Sequence, residues 1–225
     1  QALRLSRLAH CPPCCFSMTS SHFLLVALLC NLSLHADSVK LPLHTKGRHL
    51  VDPEGKRVKL ACANWYGSHL KTFAQNGLSK QSIEDIANTI AKLGFNCVRL
   101  SYSTEAYVRN PQVHPNYISK LRNSTGRTFL ELFDETILAL TNSNLMVIIN
   151  NHNTHAGWCC DVFDGSSLWF NEDYPEETWI ASLKGLARRY RGNPFVVGYD
   201  LRNEVRTAYL SGAVEYGTVD VPVWG

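Results

Sequence analysis

Residues 195–204 read Phe195-Val196-Val197-Gly198-Tyr199-Asp200-Leu201-Arg202-Asn203-Glu204, an apolar run that ends in an amide and a carboxylate. The apolar part predicts a buried strand, and a predicted helix over 175–191 precedes it. In a barrel of alternating parallel strands and helices, the chemistry lies at the carboxyl ends of the strands. A carboxylate placed directly after a strand therefore favours such a barrel and makes Glu204 a candidate site residue.

The same alternation of helix and strand occurs earlier in the chain. Apolar residues at three- and four-residue spacing predict a helix over 83–91 that Gly94 closes. Thr128 and Glu131 form a capping box at the start of the next predicted helix. A hairpin that turns at 52–55 is expected to run on directly into the first strand. The predicted strands are 58–63, 97–100, 145–149 and 195–198.

Continuous apolar strands between amphipathic helices indicate parallel strands buried on both faces, in an open doubly wound sheet or a closed barrel. An open sheet that binds nucleotides has a glycine-rich turn after its first strand. Residues 64–69 contain no such turn. The predicted fold is therefore an α/β (β/α)8 TIM barrel. This chain is expected to hold about the first four β/α units, since a complete barrel takes about 250 residues.

Residues 1–38 are interpreted as upstream sequence and a secretory signal peptide. The apolar run 23–30 is too short to span a bilayer and precedes small residues at Ala36 and Ser38. Translation is expected to start at Met18 and cleavage to follow Ser38. This predicts a secreted product, extracellular or in a cell wall, with no membrane segment in its mature form. The formal charge of +3 does not indicate binding to nucleic acid.

Four cysteines lie beyond the predicted cleavage site, in a chain expected to pass through an oxidising compartment. Cys62 and Cys97 lie in apolar strands and are expected to be buried thiols. For the adjacent Cys159 and Cys160, a vicinal bridge and two separate partners are both open. The sequence Asn123-Ser124-Thr125 is a glycosylation sequon in a polar stretch and predicts a glycan on Asn123.

Polar or aromatic residues lie at the carboxyl end of every predicted strand, and such ends meet on one face of a barrel. An Asn203 amide can hold a sugar hydroxyl while the Glu204 carboxyl exchanges a proton with a leaving group, which suggests glycoside hydrolysis. Taken alone, Arg99 is as compatible with a structural ion pair as with catalysis, and a lone histidine such as His152 more often has a structural role. The strand-end set comprises Asn64, Trp65, Arg99, Asn150, Asn151, His152, Asn203 and Glu204.

The chain resembles the family 5 glycoside hydrolases of the cellulase type, particularly their secreted plant branch. The resemblance implies that Glu204 is the general acid/base and that Asn203 contacts the sugar 2-hydroxyl. It also implies that Arg99 orients the nucleophile and that His152 lines the subsite of the cleaved sugar, and Trp65 joins them as a substrate-binding residue. The matching segments, within about 41–206, are 58–65, 94–100, 150–152 with 157–160, and 198–204.

By the same resemblance, the substrate is a polysaccharide or oligosaccharide with β-linkages, no cofactor or metal is needed, and the mechanism is retaining. Retention requires a second carboxylate about 5 Å from the first. In the family this nucleophile lies on the seventh strand, and no residue of this chain is assigned to it. We therefore expect 39–206 to be the N-terminal half of a barrel, inactive alone, and 207–225 to be an atypical tail.

Two other functions are compatible with the sequence. A non-catalytic carbohydrate-binding protein would use Trp65, Trp158 and Trp169 as stacking platforms. A metal-dependent hydrolase would take nitrogen and oxygen ligands from His152, His155 and Asp161, although this spacing is a weak motif.

Overall fold

The computed structural model describes residues 39–161, 163–206, 208–210 and 217–219. The predicted signal peptide, 1–38, and most of the predicted tail, 207–225, lie outside the described residues. No described helix is both long enough and apolar enough to cross a bilayer.

The centre of the molecule is a parallel sheet of four strands in the order β4-β5-β6-β7. The strands are β4 (Cys62–Trp65), β5 (Cys97–Ser103), β6 (Met146–Asn153) and β7 (Val196–Asp200). Each strand pairs with the next one along the chain. A doubly wound sheet reverses its strand order at a switch point, whereas a barrel does not. The order within the described sheet therefore follows the predicted barrel.

Four helices connect the strands: α1 (Ile83–Lys92), α2 (Thr104–Arg109), α3 (Phe129–Asn142) and α4 (Glu176–Arg189). Helix α1 begins at the N-cap Ser82, and α3 has the predicted capping box of Thr128 and Glu131. Helix α2 and a 3-10 helix, Pro115–Ile118, were not predicted. The main core lies between helices and sheet, where Leu100, Phe133 and Leu186 are fully buried at 0–1 % exposure.

The prediction that the hairpin runs directly into the first strand of the parallel sheet is wrong. Val58, the first residue of that predicted strand, belongs to a separate antiparallel sheet of β1 (His44–Lys46), β2 (His49–Val51) and β3 (Arg57–Val58). The link from 59 to 61 pairs with no strand, because the Asn96 amide accepts from Ala61 N–H and donates to the Lys59 carbonyl. Val58 packs beside Cys97 and Met146, the first residues of β5 and β6. The small sheet therefore covers the amino-terminal ends of the parallel strands.

Strands β5 and β6 are longer than predicted because they continue through polar residues. Ser101, Asn150 and Asn151 are buried and remain paired in register, Ser101 opposite Asn150. Near the carboxyl terminus, Ala208–Leu210 (β8) and Gly217–Val219 (β9) form a two-stranded antiparallel sheet.

The prediction that Cys62 and Cys97 are free thiols is also wrong. These residues face each other in the β4–β5 register and form a disulfide bond. Cys159 and Cys160, for which two pairings were open, are bonded to each other. Asn123 of the predicted sequon is exposed.

Candidate active site

Arg99, the third residue of β5, connects three strands of the sheet. Its Nε donates to Asp200 Oδ2 at 2.8 Å, and one terminal nitrogen donates to Asn203 Oδ1 at 2.9 Å. Asn64 Oδ1 lies 3.4 Å from the other terminal nitrogen. The Arg99 and Asp200 side chains are only 23 % and 30 % exposed. Partial burial strengthens this ion pair relative to a surface pair, and the pair connects β5 with the last residue of β7.

Asp200 also connects the arginine to a histidine. Asn150 Nδ2 donates to Asp200 Oδ2 at 3.0 Å, and His152 Nδ1 lies 2.7 Å from Asn150 Oδ1. Because the amide oxygen can only accept, His152 carries its proton on Nδ1. This leaves His152 Nε2 as an acceptor for a ligand hydroxyl.

The His69 ring contacts the His152 ring, with centroids 4.2 Å apart and planes tilted by 44°. Burial, and then the positive charge of Arg99, lower the pKa of His69 to about 4. Burial, the neighbouring His69 and the cations Arg99 and Arg202 lower the pKa of His152 to about 3. Both rings are therefore neutral at ordinary pH and offer hydrogen bonds rather than charge. A cavity beside them is lined by Asn64, Trp65, Tyr66, Arg99, Ser101 and His152.

Asn203 and Glu204 differ sharply in their surroundings. Asn203 is only 8 % exposed, and its backbone N–H donates to the Asn151 carbonyl at 2.9 Å. Arg99 binds its amide oxygen, which directs Nδ2 towards the sulfurs of Cys159 and Cys160 at 3.3 and 3.6 Å. Glu204 is exposed and has a φ of +43°, in the left-handed region. Such backbone conformations are costly for residues other than glycine and concentrate at functional sites.

Comparison with known proteins identifies the family of the chain. The family described as cellulase (glycosyl hydrolase family 5) matches residues 51–215. The chain belongs to glycosyl hydrolase family 5. The match includes every predicted strand-end residue and continues past Arg206 into the predicted tail.

Two curated relatives support the family. A glycosyl hydrolase 5 family protein of Chamaecyparis obtusa is 37 % identical over 200 residues, covering 81 % of this chain and 36 % of the relative. An endoglucanase of Paenibacillus polymyxa is 32 % identical over 175 residues, covering 77 % of this chain and 42 % of the relative. The chain thus spans about two fifths of the length of these proteins.

A solved structure supports the fold. A complex of a Pyrococcus horikoshii endocellulase variant with cellotetraose superimposes with a TM-score of 0.60 at 25 % identity, covering 75 % of this chain and 44 % of that one. Solved family 5 relatives are (β/α)8 barrels, and the described parallel sheet is the corresponding part of such a barrel. The predicted fold class is confirmed.

The structure connects Arg99, His152 and Asn203 through Asp200 and Asn150, and Glu204 directly follows Asn203. His152, Asn203 and Glu204 lie at or just beyond the carboxyl ends of β6 and β7. Arg99, predicted at a strand end, is instead the third residue of the seven-residue β5, because this strand is longer than predicted. Trp65 lines the cavity, but it is 6 % exposed and donates its indole N–H to the Asn76 carbonyl at 2.9 Å. Its ring packs in the main core. This geometry favours a structural role for Trp65, and its contact with substrate stays a prediction.

Trp158 is an exposed aromatic side chain beside the site. It is 70 % exposed, and its ring centroid lies 5.6 Å from that of Tyr66, which is 42 % exposed. Trp169 is engaged differently, donating its indole N–H to Glu176 and lying 6.1 Å from the Trp179 ring.

Sequence reasoning assigned no role to His69, Asp200 or Arg202. Arg202 donates to Asn151 Oδ1 and Thr154 Oγ1, both at 2.9 Å, and burial lowers its pKa to about 10. Asp200 could have been found from the expectation that Arg99 needs an anionic partner on a neighbouring strand. His69 gives no such signal, because its position depends on the loop after β4.

The predicted metal ligands do not converge. His155 turns to Asp173 and Glu105, at 3.2 and 3.7 Å, whereas His152 turns to Asn150. Within the part of the chain that the structure describes, the group with ligand spacing is Cys159, Cys160 and Glu204. The geometry therefore gives no support to a hydrolase that uses a metal held by His152 and His155.

Proposed function

We propose that this chain carries the acid/base part of a retaining glycoside hydrolase that cleaves a β-linked glucan. The observation that carries the proposal is the pair at the end of β7, where Asn203 is held by Arg99 and Glu204 is left exposed beside it. A proton donor must reach the leaving-group oxygen, whereas a residue that orients the sugar must be fixed. The two neighbours meet these two requirements separately.

In this proposal, Glu204 gives a proton to the leaving oxygen and later takes one from water. Asn203 Oδ1 is engaged by Arg99, and one hydrogen of Nδ2 is directed at the sulfurs of Cys159 and Cys160. The second Nδ2 hydrogen binds the sugar 2-hydroxyl. His152 Nε2 accepts from a second hydroxyl. Arg99 acts as a positioning residue through Asp200 and Asn203 rather than by touching the sugar. No described residue is assigned as the nucleophile, and Asp200 is a poor candidate because Arg99 and Asn150 bind its carboxylate.

The substrate class rests on the relatives and on the form of the site. The endoglucanase and cellotetraose named above concern other proteins, and they support β-linked glucan as the first substrate to test. The neutral imidazoles and amides of the site suit uncharged sugar hydroxyls. The exposed Tyr66–Trp158 pair offers the apolar ring faces on which pyranose rings stack.

We also propose that the protein is secreted, that the signal peptide is cleaved after Ser38 and that Asn123 is glycosylated. N-terminal sequencing of the product from a eukaryotic host tests cleavage, and the mass shift on enzymatic deglycosylation tests the glycan. A mature product that begins at or before Met18 would contradict secretion by this route.

Hydrolysis is tested in a completed barrel, because the chain spans about two fifths of its relatives. The chain through Arg206 is joined to the residues that follow the matching segment in the Chamaecyparis obtusa relative. We expect this chimera to release reducing ends from β-glucan, with the β-anomer as the first product by NMR. Glu204→Gln should slow hydrolysis of poor leaving groups by about 100-fold or more, whereas exposed Glu177→Gln should not.

A folded chimera, verified by circular dichroism, in which Glu204→Gln hydrolyses glucan as fast as its parent would remove the acid/base assignment. An α-anomeric first product would remove the retaining mechanism.

The exposed Tyr66–Trp158 pair also favours a second function, carbohydrate binding without catalysis. This function predicts that the completed barrel binds cellotetraose with an affinity that depends on Trp158. It also predicts that the barrel does not hydrolyse glucan, with or without Glu204→Gln. Isothermal titration beside the hydrolysis assay separates the two functions.

A further inference from the structure

Two neighbouring loops bring a pair of sulfur atoms close to the Glu204 carboxylate. Cys159 Sγ, Cys160 Sγ and a Glu204 carboxylate oxygen all lie within 4.8 Å of one another. Two atoms bound to one zinc ion are at most about 4.6 Å apart, because Zn–S bonds are about 2.3 Å and Zn–O bonds about 2.1 Å. The Glu204 oxygen is therefore near ligand spacing from both sulfurs, and the sulfurs reach such spacing from each other once the bond between them is reduced.

The bond between the two cysteines determines whether they can act as ligands. In the structure they form a disulfide, and the species that binds metals is the thiolate. We propose that reduced Cys159 and Cys160 form, together with Glu204, a binding site for a soft divalent cation such as Zn²⁺ or Cd²⁺. The site is controlled by redox state, since the disulfide form offers no thiolate.

An external small thiol reduces the Cys159–Cys160 disulfide. Two molecules of a small thiol are oxidised to their disulfide, and the Cys159–Cys160 bond takes up their two electrons and two protons. Cation binding then releases both protons from the new thiols, because the ligands are thiolates. Oxidation of the pair reverses the sequence and expels the cation.

Arg206 holds the ligands together independently of the disulfide. Its guanidinium donates to the Glu204 carbonyl at 3.1 Å and to the Asp161 carbonyl at 3.0 Å. Asp161 directly follows Cys160, and the same guanidinium binds the Asp164 carboxylate. The loop with the cysteines thus stays attached to the loop with Glu204 after the sulfur–sulfur bond is broken.

The surroundings also direct a hydrogen-bond donor at the sulfurs. Asn203 Nδ2 lies 3.3 and 3.6 Å from the two sulfur atoms. Two thiolates and one carboxylate select soft and borderline cations over Mg²⁺ and Ca²⁺, which prefer oxygen ligands alone.

One consequence rests on the proposed function, although the site itself does not. A cation on the Glu204 carboxylate would prevent that group from carrying a proton, so reduction together with a soft cation would stop hydrolysis. Cation binding is measured without substrate, so its failure is distinguishable from a failure of the glycosidase assignment.

The experiment titrates the full 225-residue chain with Cd²⁺ after mild reduction by a thiol and removal of the reductant under nitrogen. Bound cadmium is followed by the thiolate-to-cadmium absorption in the ultraviolet. The six other cysteines contribute a background, which the Cys159→Ser/Cys160→Ser double variant measures. We expect the reduced parent to bind one cadmium more than this variant. Reoxidation of the parent with oxidised glutathione should remove the difference, and this arm requires no substitution.

Glu204→Gln, compared with exposed Glu177→Gln, tests the third ligand. Loss of partners beyond the direct ligands already weakens metal sites by 10–100-fold, so we expect Glu204→Gln to weaken the extra site by about tenfold or more. Equal cadmium binding by the reduced parent and the double cysteine variant would overturn the site. Equal affinity of the Glu204→Gln and Glu177→Gln chains would overturn the role of Glu204.

Discussion

Alternate residues of strand β5 lie in two different environments. Val98 and Leu100 are fully buried against the helices, whereas Arg99 between them is partly exposed and binds Asp200 and Asn203. Successive side chains of a strand point to opposite faces, so one strand contributes to both the core and the site. On the helix side, packing depends on the volumes of the apolar side chains. On the other side, the arrangement depends on the pairing of charged and amide side chains.

The two faces should therefore respond differently to substitution. Loss of an apolar side chain leaves a cavity and affects the whole fold. Loss of a charged side chain leaves its partners unpaired and affects chiefly the site.

The largest effect on stability is expected for Leu100→Ala. Leu100 is 0 % exposed and belongs to the main core, so truncation should lower the free energy of unfolding by about 2–5 kcal/mol. Urea denaturation followed by circular dichroism measures this change. Because the methyl groups removed point away from Arg99, the NMR titration of His152 should be unchanged. A shifted titration would mean that the two faces are not independent.

Arg99→Leu should have a smaller effect on stability and a larger effect on the site. It leaves Asp200, which is 30 % exposed, without its cation, and we expect a loss of about 2–3 kcal/mol. The pKa values of His69 and His152 should rise in NMR titrations, because Arg99 is among the causes that lower them.

Arg189→Leu is the matched control. Arg189 pairs with Asp134 between α4 and α3, and these side chains are 42 % and 37 % exposed. A pair this exposed should contribute about 0.5–1 kcal/mol, and neither histidine pKa should move. Equal losses for the two arginine variants would contradict the view that partial burial makes the Arg99 pair special.

The same comparison explains what the sequence predicts and what it does not. Helices α1, α3 and α4 follow from the spacing of apolar residues and from caps such as Thr128 with Glu131. The apolar parts of β5, β6 and β7 follow from their composition. Their polar ends do not, because Ser101 and Asn150 interrupt the apolar pattern while the backbone pairing continues.

Long-range pairing limits the prediction of the site. Arg99 and Asp200 are 101 positions apart, and nothing local in the sequence indicates their contact. The Cys62–Cys97 bond depends in the same way on the β4–β5 register. Arg99, Asn203 and Glu204 could be named from the motifs around them, whereas the contact between the His69 and His152 rings required the structure.

The third prediction concerns pH. An unfolded chain protonates its histidines near pH 6.5, but folded His69 and His152 do so only near pH 4 and 3. The unfolded state therefore binds more protons in this window, and stability should fall as the pH falls from about 6.5 to 4. Allowing for solvent screening, we expect the two histidines together to account for about 2 kcal/mol of this loss.

The His69→Gln/His152→Gln double variant is the comparison for the pH effect, and urea midpoints at several pH values measure it. Its stability should depend less on pH between 6.5 and 4 than that of the parent, and each single variant should fall between the two. An identical dependence of stability on pH for the parent and the double variant would show that folding does not lower the pKa values of His69 and His152.

The smallest change in stability is expected for Glu204→Gly. Unlike the variants above, it should stabilise the fold. Glu204 has a φ of +43°, which costs a residue with a Cβ about 1–2 kcal/mol. Glycine avoids this cost but has more freedom in the unfolded chain, which offsets part of the gain. Glu204→Gly should therefore raise the free energy of unfolding by about 0.5–1 kcal/mol. Asn144→Gly is the control, since Asn144 has a φ of +57° in the loop before β6 but asparagine adopts this conformation more readily. Urea denaturation of both variants beside the parent gives the two differences. A larger gain at Glu204 than at Asn144 would mean that the exposed carboxylate is kept there at a cost in stability, as expected of a residue retained for function. A loss of stability in Glu204→Gly would mean instead that the Glu204 side chain contributes to the fold, and the contrast between a stabilising helix face and a strained site face would fail at its most important residue.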